Sequence, residues 1–172
     1  KLYALKEDAH PYEIDPNTLE TLGPWDFDGQ YKAQTFSAHP KIDPVSGDMI
    51  CYGYEATGTC TDDLWIYTIS PDGQVKSEVK VKVPYVSTLH DMVLTQKYFI
   101  FPVYGYVTSM ERLREGHLHW AFDKNMPTYW GMIRRDGDGS DARWFKGPAS
   151  VVMHTINAFD DVCLCISSDR LG

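Results

Sequence analysis

The feature that most limits what this chain can fold into is its punctuation. Short runs rich in Val, Ile, Tyr, Phe and Trp are broken by turn chemistry at Asp43-Pro44-Val45-Ser46-Gly47, Ser70-Pro71-Asp72-Gly73 and Asp136-Gly137-Asp138-Gly139. Proline presets one turn dihedral, glycine accepts left-handed backbone, and Asp and Ser side chains bond back to the main chain. The β-branched and aromatic residues between these stops fit a pleated, half-buried surface. Strands are therefore predicted over residues 2–6, 34–39, 49–55, 64–70, 75–83, 88–95, 98–106, 128–134, 142–146, 151–158 and 162–167. Residues 109–116 read as a short helix with Met110 and Leu113 on one side. The fold class is all-β. Regularly spaced short strands suit a sandwich, a barrel or propeller blades, and without a clean repeat their periodicity does not choose among these.

Charge narrows the partners. With 24 acidic against 16 basic residues the net charge is −8, which argues against a nucleic-acid partner, because phosphate binding needs a surplus of Lys and Arg. No apolar run reaches the 18 or so residues of a helical membrane span, so no transmembrane segment is expected. Cys51, Cys60, Cys163 and Cys165 lack CxxC spacing. Cys163 and Cys165 alternate along a predicted strand and so share a face. A disulfide or zinc site stays open, but buried free thiols in a reducing, cytoplasmic compartment are the expectation. The chain opens on strand-like Lys1-Leu2-Tyr3-Ala4-Leu5 and closes just after the apolar run Val162-Cys163-Leu164-Cys165-Ile166. Domain ends are more often polar, so a piece of a longer protein is expected.

Histidine carries the chemical signal. His10, in Asp8-Ala9-His10-Pro11, reads as an exposed turn residue. His117 and His119 form an H-x-H pair that could hold a metal with Asp123 as its acidic partner, although loop or surface residues are the simpler reading. His39, His90 and His154 differ, since each lies on or beside a strand predicted to be buried. One such residue is usually a hydrogen-bonded core histidine. Three on separate strands, far apart in sequence, also fit a metal gathered from several strands.

The surroundings of these three are familiar. Phe36-Ser37-Ala38-His39-Pro40-Lys41-Ile42-Asp43-Pro44-Val45-Ser46-Gly47 resembles the first histidine motif of the carotenoid cleavage oxygenases. Leu89-His90-Asp91-Met92, followed by Thr95-Gln96-Lys97-Tyr98-Phe99-Ile100-Phe101-Pro102, resembles the second, and Met153-His154-Thr155-Ile156-Asn157-Ala158-Phe159 the third. Their separations, 51 and 64 residues, are similar to those of the compact stilbene-cleaving branch. Pro127-Thr128-Tyr129-Trp130-Gly131-Met132-Ile133-Arg134-Arg135 and Trp144-Phe145-Lys146-Gly147-Pro148 resemble intervening segments, so the likeness covers essentially all 172 residues.

The resemblance implies a seven-bladed β-propeller with four histidines on its axis holding Fe(2+). Residues 1–172 would be a partial propeller domain of about three blades, with N- and C-terminal parts missing. His39, His90 and His154 would be three of the metal ligands. No residue matches the fourth, so this piece alone is expected to be inactive. Neutral imidazoles suit iron(II), and a carboxylate accepting the other ring N–H orients each ring. By analogy Glu7 is that carboxylate for His90; the plainer reading is a solvated acid at a strand end. Lys6, in Ala4-Leu5-Lys6-Glu7, resembles the lysine that binds a phenolic 4-hydroxyl in the stilbene-cleaving branch; the plainer reading is an exposed strand lysine. The expected activity is a dioxygenase splitting the central C=C bond of a 4-hydroxystilbene into two aromatic aldehydes, with O2 and a small aromatic alkene as partners. The alternatives are the same chemistry on an apocarotenoid or carotenoid, and a non-catalytic propeller fragment.

Overall fold

The computed structural model describes residues 1–161 and the backbone of Cys165–Ser168. A first antiparallel sheet holds β1 (Leu2–Ala4), β2 (Tyr12–Ile14) and β3 (Thr21–Pro24). A second runs in sequence order through β4 (Lys41–Ile42), β5 (Met49–Tyr54), β6 (Asp63–Ile69) and β7 (Val75–Lys82). The third contains β8 (Val93–Leu94), β9 (Tyr98–Val103), β12 (Thr128–Arg134) and β13 (Arg143–Gly147). Between β9 and β12 the chain makes an excursion with a small ribbon, β10 (Tyr106–Val107) and β11 (Ala121–Phe122), around the short helix α1 (Met110–Arg114). Finally β14 (Thr155–Phe159) pairs with β15 (Cys165–Ser168). The strand predicted over 162–167 overlaps β15, but residues 162–164, Cys163 among them, lie outside the described residues. Among the described residues no helix is long and apolar enough to cross a membrane.

Four-stranded antiparallel meanders are the form of propeller blades, and side-chain alternation explains how these stack. On β5, Ile50, Tyr52 and Tyr54 enter the core shared with β9, whereas Cys51 points to the opposite core with Phe27, Tyr31, Phe36 and Tyr67. On β9, Phe99, Phe101 and Val103 meet the second sheet, while Ile100 turns toward Val93 and Ala158. Each central strand thus buries both faces, one against each neighbouring sheet, and reads as an almost unbroken apolar run.

Residues 34–39 form no strand, contrary to expectation. The segment is largely buried; Gln34 N–H donates to the Ala56 carbonyl at 2.9 Å, and side-chain bonds rather than a strand ladder hold it and the residues leading into it. The Tyr67 hydroxyl accepts from Lys32 and Ala33 N–H at 3.2 Å each, and Tyr31 Oη donates to the Thr35 carbonyl at 2.6 Å. The Tyr52 N–H donates to Ser37 Oγ at 3.3 Å. The segment crosses β5 so closely that a Cβ at Gly53 would lie 2.5 Å from the Thr35 carbonyl oxygen.

The second and third sheets are joined through residues of the first two histidine motifs, Asp43 and Thr95. Arg135, just after β12, sets its guanidinium 2.5 Å from Asp43 Oδ2 and 2.9 Å from the Thr95 carbonyl oxygen. The Arg135 guanidinium, with the N–H groups of Val45 and Ser46, holds the Asp43 carboxyl below the usual carboxylate range.

Candidate metal centre

β4, β8 and β14 are edge strands of three different sheets, and all three line one cavity of about 910 Å³. They are therefore the innermost strands, gathered around a common axis. A histidine precedes each: His39 before Lys41–Ile42, His90 before Val93–Leu94 and His154 before Thr155–Phe159. The sequence signal in each motif is a polar imidazole placed where an axial strand begins.

The three rings converge through Nε2. His90 Nε2 lies 2.9 Å from His39 Nε2 and 3.2 Å from His154 Nε2, and the three potential donor atoms fall within 4.8 Å of one another. Among the described residues this is the one cluster of three or more His, Cys, Asp or Glu side chains close enough to share an ion. The separations can be checked against coordination chemistry. With metal–nitrogen bonds of about 2.1 Å, ligands at right angles put their nitrogens roughly 3.0 Å apart, and tetrahedral ligands roughly 3.4 Å. The observed 2.9 and 3.2 Å fit a single ion facing three imidazoles on one side.

The protonation states suit this role. His90 Nδ1 lies 2.6 Å from Glu7 Oε1, so Nδ1 carries the proton and Nε2 presents its lone pair to the cluster. Tyr54 Oη lies 3.4 Å from Glu7 Oε2 and 3.1 Å from Thr88 Oγ1, tying the carboxylate to β5. For His39, burial and the neighbouring His90 lower the pKa, and the Asp91 charge only partly opposes this. A neutral imidazole is the form that coordinates.

The other residues singled out from sequence are distributed as follows. Glu7 is brought to His90, although 83 residues separate them. Lys6 is adjacent in sequence but is not among the clustered residues; its side chain is 77% exposed and its ammonium sits 2.9 Å from Asp8 Oδ2. His10 is partly buried, not an exposed turn residue, with Nε2 2.8 Å from the Ala33 carbonyl oxygen. His117 and His119 do not form a metal pair with Asp123: His119 Nε2 lies 3.0 and 3.1 Å from the Glu55 carboxylate oxygens. That contact fastens the excursion between β9 and β12 to the end of β5, where Trp120 also packs on Tyr54. Of the cysteines described, Cys51 is a buried free thiol and Cys60 a free thiol that is only half-buried.

Sequence reasoning missed Asp91. Its carboxylate is almost completely buried and accepts from Lys41 Nζ at 2.6 Å, Met92 N–H at 2.8 Å and Thr155 N–H at 2.9 Å. Burial alone would raise its pKa, but Lys41 and Thr155 hold it below the usual carboxylate range. One signal was available. An acid embedded in Leu89-His90-Asp91-Met92-Val93-Leu94 is in an apolar run, and a carboxylate buried there needs partners.

This geometry has relatives. The family model described as retinal pigment epithelial membrane protein (RPE65) matches residues 1–170. The chain is 46% identical to resveratrol cleavage oxygenase 1 of Aspergillus fumigatus and 45% identical to carotenoid cleavage oxygenase 1 of Neurospora crassa, in each case over 94% of the chain. It spans only about a third of these relatives' lengths, 32% and 31%. Among solved structures, the lignostilbene dioxygenase of Pseudomonas brassicacearum superposes with a TM-score of 0.89 at 43% identity, covering 92% of this chain and 33% of that one. The sheets described above are accordingly blades of a carotenoid-oxygenase propeller.

Proposed function

Because this chain belongs to the RPE65 family of carotenoid cleavage oxygenases, we propose that it is the metal-binding part of an iron(II) dioxygenase acting on 4-hydroxystilbenes. On this reading residues 1–172 are part of a propeller domain whose remainder contributes the further ligand. The observation that carries the metal assignment is the convergence of three Nε2 atoms at 2.9 and 3.2 Å from separate axial strands, with Glu7 holding the Nδ1 proton of His90.

In this reading His39, His90 and His154 hold Fe(2+), and Glu7 keeps the His90 ring in one tautomer and one orientation. Bound iron supplies the redox chemistry by which O2 is reduced while the alkene is cleaved. The overall change balances as one 1,2-diarylethene and one O2 giving two aromatic aldehydes, with one oxygen atom in each. Lys6 binds the phenolic oxygen. An ammonium beside a phenol stabilises the phenolate and lowers its pKa from about 10. The phenolate then pushes electron density through the conjugated system toward the central double bond. The exposed Lys6 ammonium, paired with a carboxylate that is itself exposed, is free to exchange Asp8 for such an oxygen.

The runner-up substrate is an apocarotenoid, supported by the nearly equal identity to a relative named for carotenoid cleavage. Such a substrate offers no phenol to Lys6. The test uses a polypeptide of the relatives' full length that carries this chain. Metal analysis and oxygen uptake with resveratrol are measured on the unaltered protein, then on Lys6→Ala and Lys6→Met. Iron near one equivalent, and a fall in kcat/KM of at least tenfold for 4-hydroxystilbenes in both variants, are the expected results. Unchanged turnover in the variants removes the stilbene assignment, and an iron-free protein that consumes no oxygen removes the enzyme assignment.

A further inference from the structure

We infer that Asp91 is a positioning residue for the metal centre: its carboxylate clamps together the three chain segments that carry His39, His90 and His154. This rests on the metal reading above but concerns a residue that touches none of the three imidazoles through a described hydrogen bond.

Each donor to Asp91 lies within two residues of a different ligand. Lys41 Nζ, two residues after His39, reaches Oδ1 at 2.6 Å. Met92 N–H, two residues after His90, reaches the same oxygen at 2.8 Å. Thr155, the residue after His154, puts its N–H 2.9 Å and its Oγ1 2.7 Å from Oδ2. The Thr155 hydroxyl also lies 2.9 Å from the Met92 carbonyl oxygen, so its single proton serves one of two acceptors on the His90 segment. The carboxylate and Lys41 form an ion pair in which the Asp91 side chain is only 3% exposed.

Geometry explains why such a clamp is needed. The innermost strands β4 and β8 are two residues long and sit on different sheets, so their own ladders fix the histidine segments weakly. No covalent link or shared strand sets the distance between His39 and His154, which are 115 positions apart in the chain. A buried acceptor with two oxygens can bind donors on opposite sides, and charge-assisted bonds are the strong ones. Asp91 therefore fixes the spacing of three backbones before any metal arrives, so that less ordering remains for the ion to impose. An amide at this position would turn one of its two acceptors into a donor, facing either Lys41 or Thr155 N–H.

The test compares Asp91→Asn and the milder Thr155→Val with the unaltered full-length polypeptide. Two quantities are read: the rate at which a chelator strips iron(II), and the ligand-field absorption of the cobalt(II)-substituted protein, which reports ligand geometry and not overall stability. The expected result is chelator loss faster by about tenfold or more in Asp91→Asn, a smaller acceleration in Thr155→Val, and shifted cobalt bands in both. If Asp91→Asn fails to fold, Thr155→Val decides alone. A metal-loaded parent whose folded variants keep their chelation rates and cobalt spectra overturns the clamp while leaving the metal reading intact. A parent that binds neither iron nor cobalt overturns the metal reading, and the clamp with it.

Discussion

The second and third sheets present their histidines in the same place yet are wired differently. In the β4–β7 sheet each strand follows its neighbour through a local turn, such as Ser70–Gln74, closed by Gly73 N–H on the Ser70 carbonyl at 2.8 Å. In the third sheet, residues 104–127 leave between β9 and β12, build the β10–β11 ribbon and α1, and reach back to Glu55 through His119. The imidazoles of His39 and His90 nevertheless meet at 2.9 Å. Histidine placement therefore depends on the innermost strand and what packs on it, not on how the outer strands connect. The longer excursion leaves the sheet at the end of β9 nearest His90, since β8 and β9 pair antiparallel through Val93 and Ile100.

Removing one ligand from each sheet is the strongest way to break that equivalence. His39→Ala and His90→Ala should each lower iron affinity by at least about 100-fold, since each deletes a metal bond. Titration with iron(II) under anaerobic conditions measures this. If only one variant lost its metal, the two sheets would not contribute alike.

A gentler probe separates the sheets by their packing. Gly53→Ala in β5 would push its Cβ to 2.5 Å from a backbone carbonyl, whereas Gly131→Ala in β12 would meet the Trp144 ring, at 2.3 Å in the present arrangement. A partly exposed indole can rotate, but the buried backbone at Thr35 has nowhere to go. Gly53→Ala should therefore cost about 3 kcal/mol and Gly131→Ala less, about 1–2 kcal/mol, read from urea unfolding midpoints. Equal losses would mean that Trp144 is held as firmly as the backbone.

The smallest expected effect sharpens the seam between the two sheets. Asp43→Asn removes the charge facing Arg135 and should cost about 1 kcal/mol at pH 7. The folded-state pKa of Asp43 is depressed. Its contribution is therefore complete above the unfolded value of about 3.9 and is lost as pH falls through the folded value. Chemical denaturation between pH 7 and pH 2 should show the variant and parent converging below about pH 4. A gap that persisted at the acid end would point to shape, not charge.

Legibility in the sequence followed the length of the signal. Predicted strands over 49–55, 64–70, 75–83, 98–106 and 128–134 all correspond to β5, β6, β7, β9 and β12. β5 and β9, buried on both faces, leave long apolar runs, whereas β7 was legible from alternation, with Val79 and Val81 buried between exposed Lys80 and Lys82. Tyr12–Ile14 and Thr21–Pro24 escaped notice, being short and broken by Pro11, Asp15, Pro16 and Gly23. Residues 34–39 misled in the other direction, since a largely buried apolar stretch there packs across β5 without pairing as a strand, its Thr35 carbonyl bonded by the Tyr31 hydroxyl. At the candidate site the three histidines announced themselves through their motifs. Asp91 did not, because Lys41 and Thr155 reach it only after three sheets have docked.

Placing the ligands at the mouths of axial strands also has a mechanical meaning. When a wedge-shaped sheet rocks about a central line, an atom moves in proportion to its distance from that line. Breathing of β7 or β13 at the rim is therefore geared down before it reaches His39 or His90. For a given rocking angle, the imidazoles near the hub are displaced less than the rim strands.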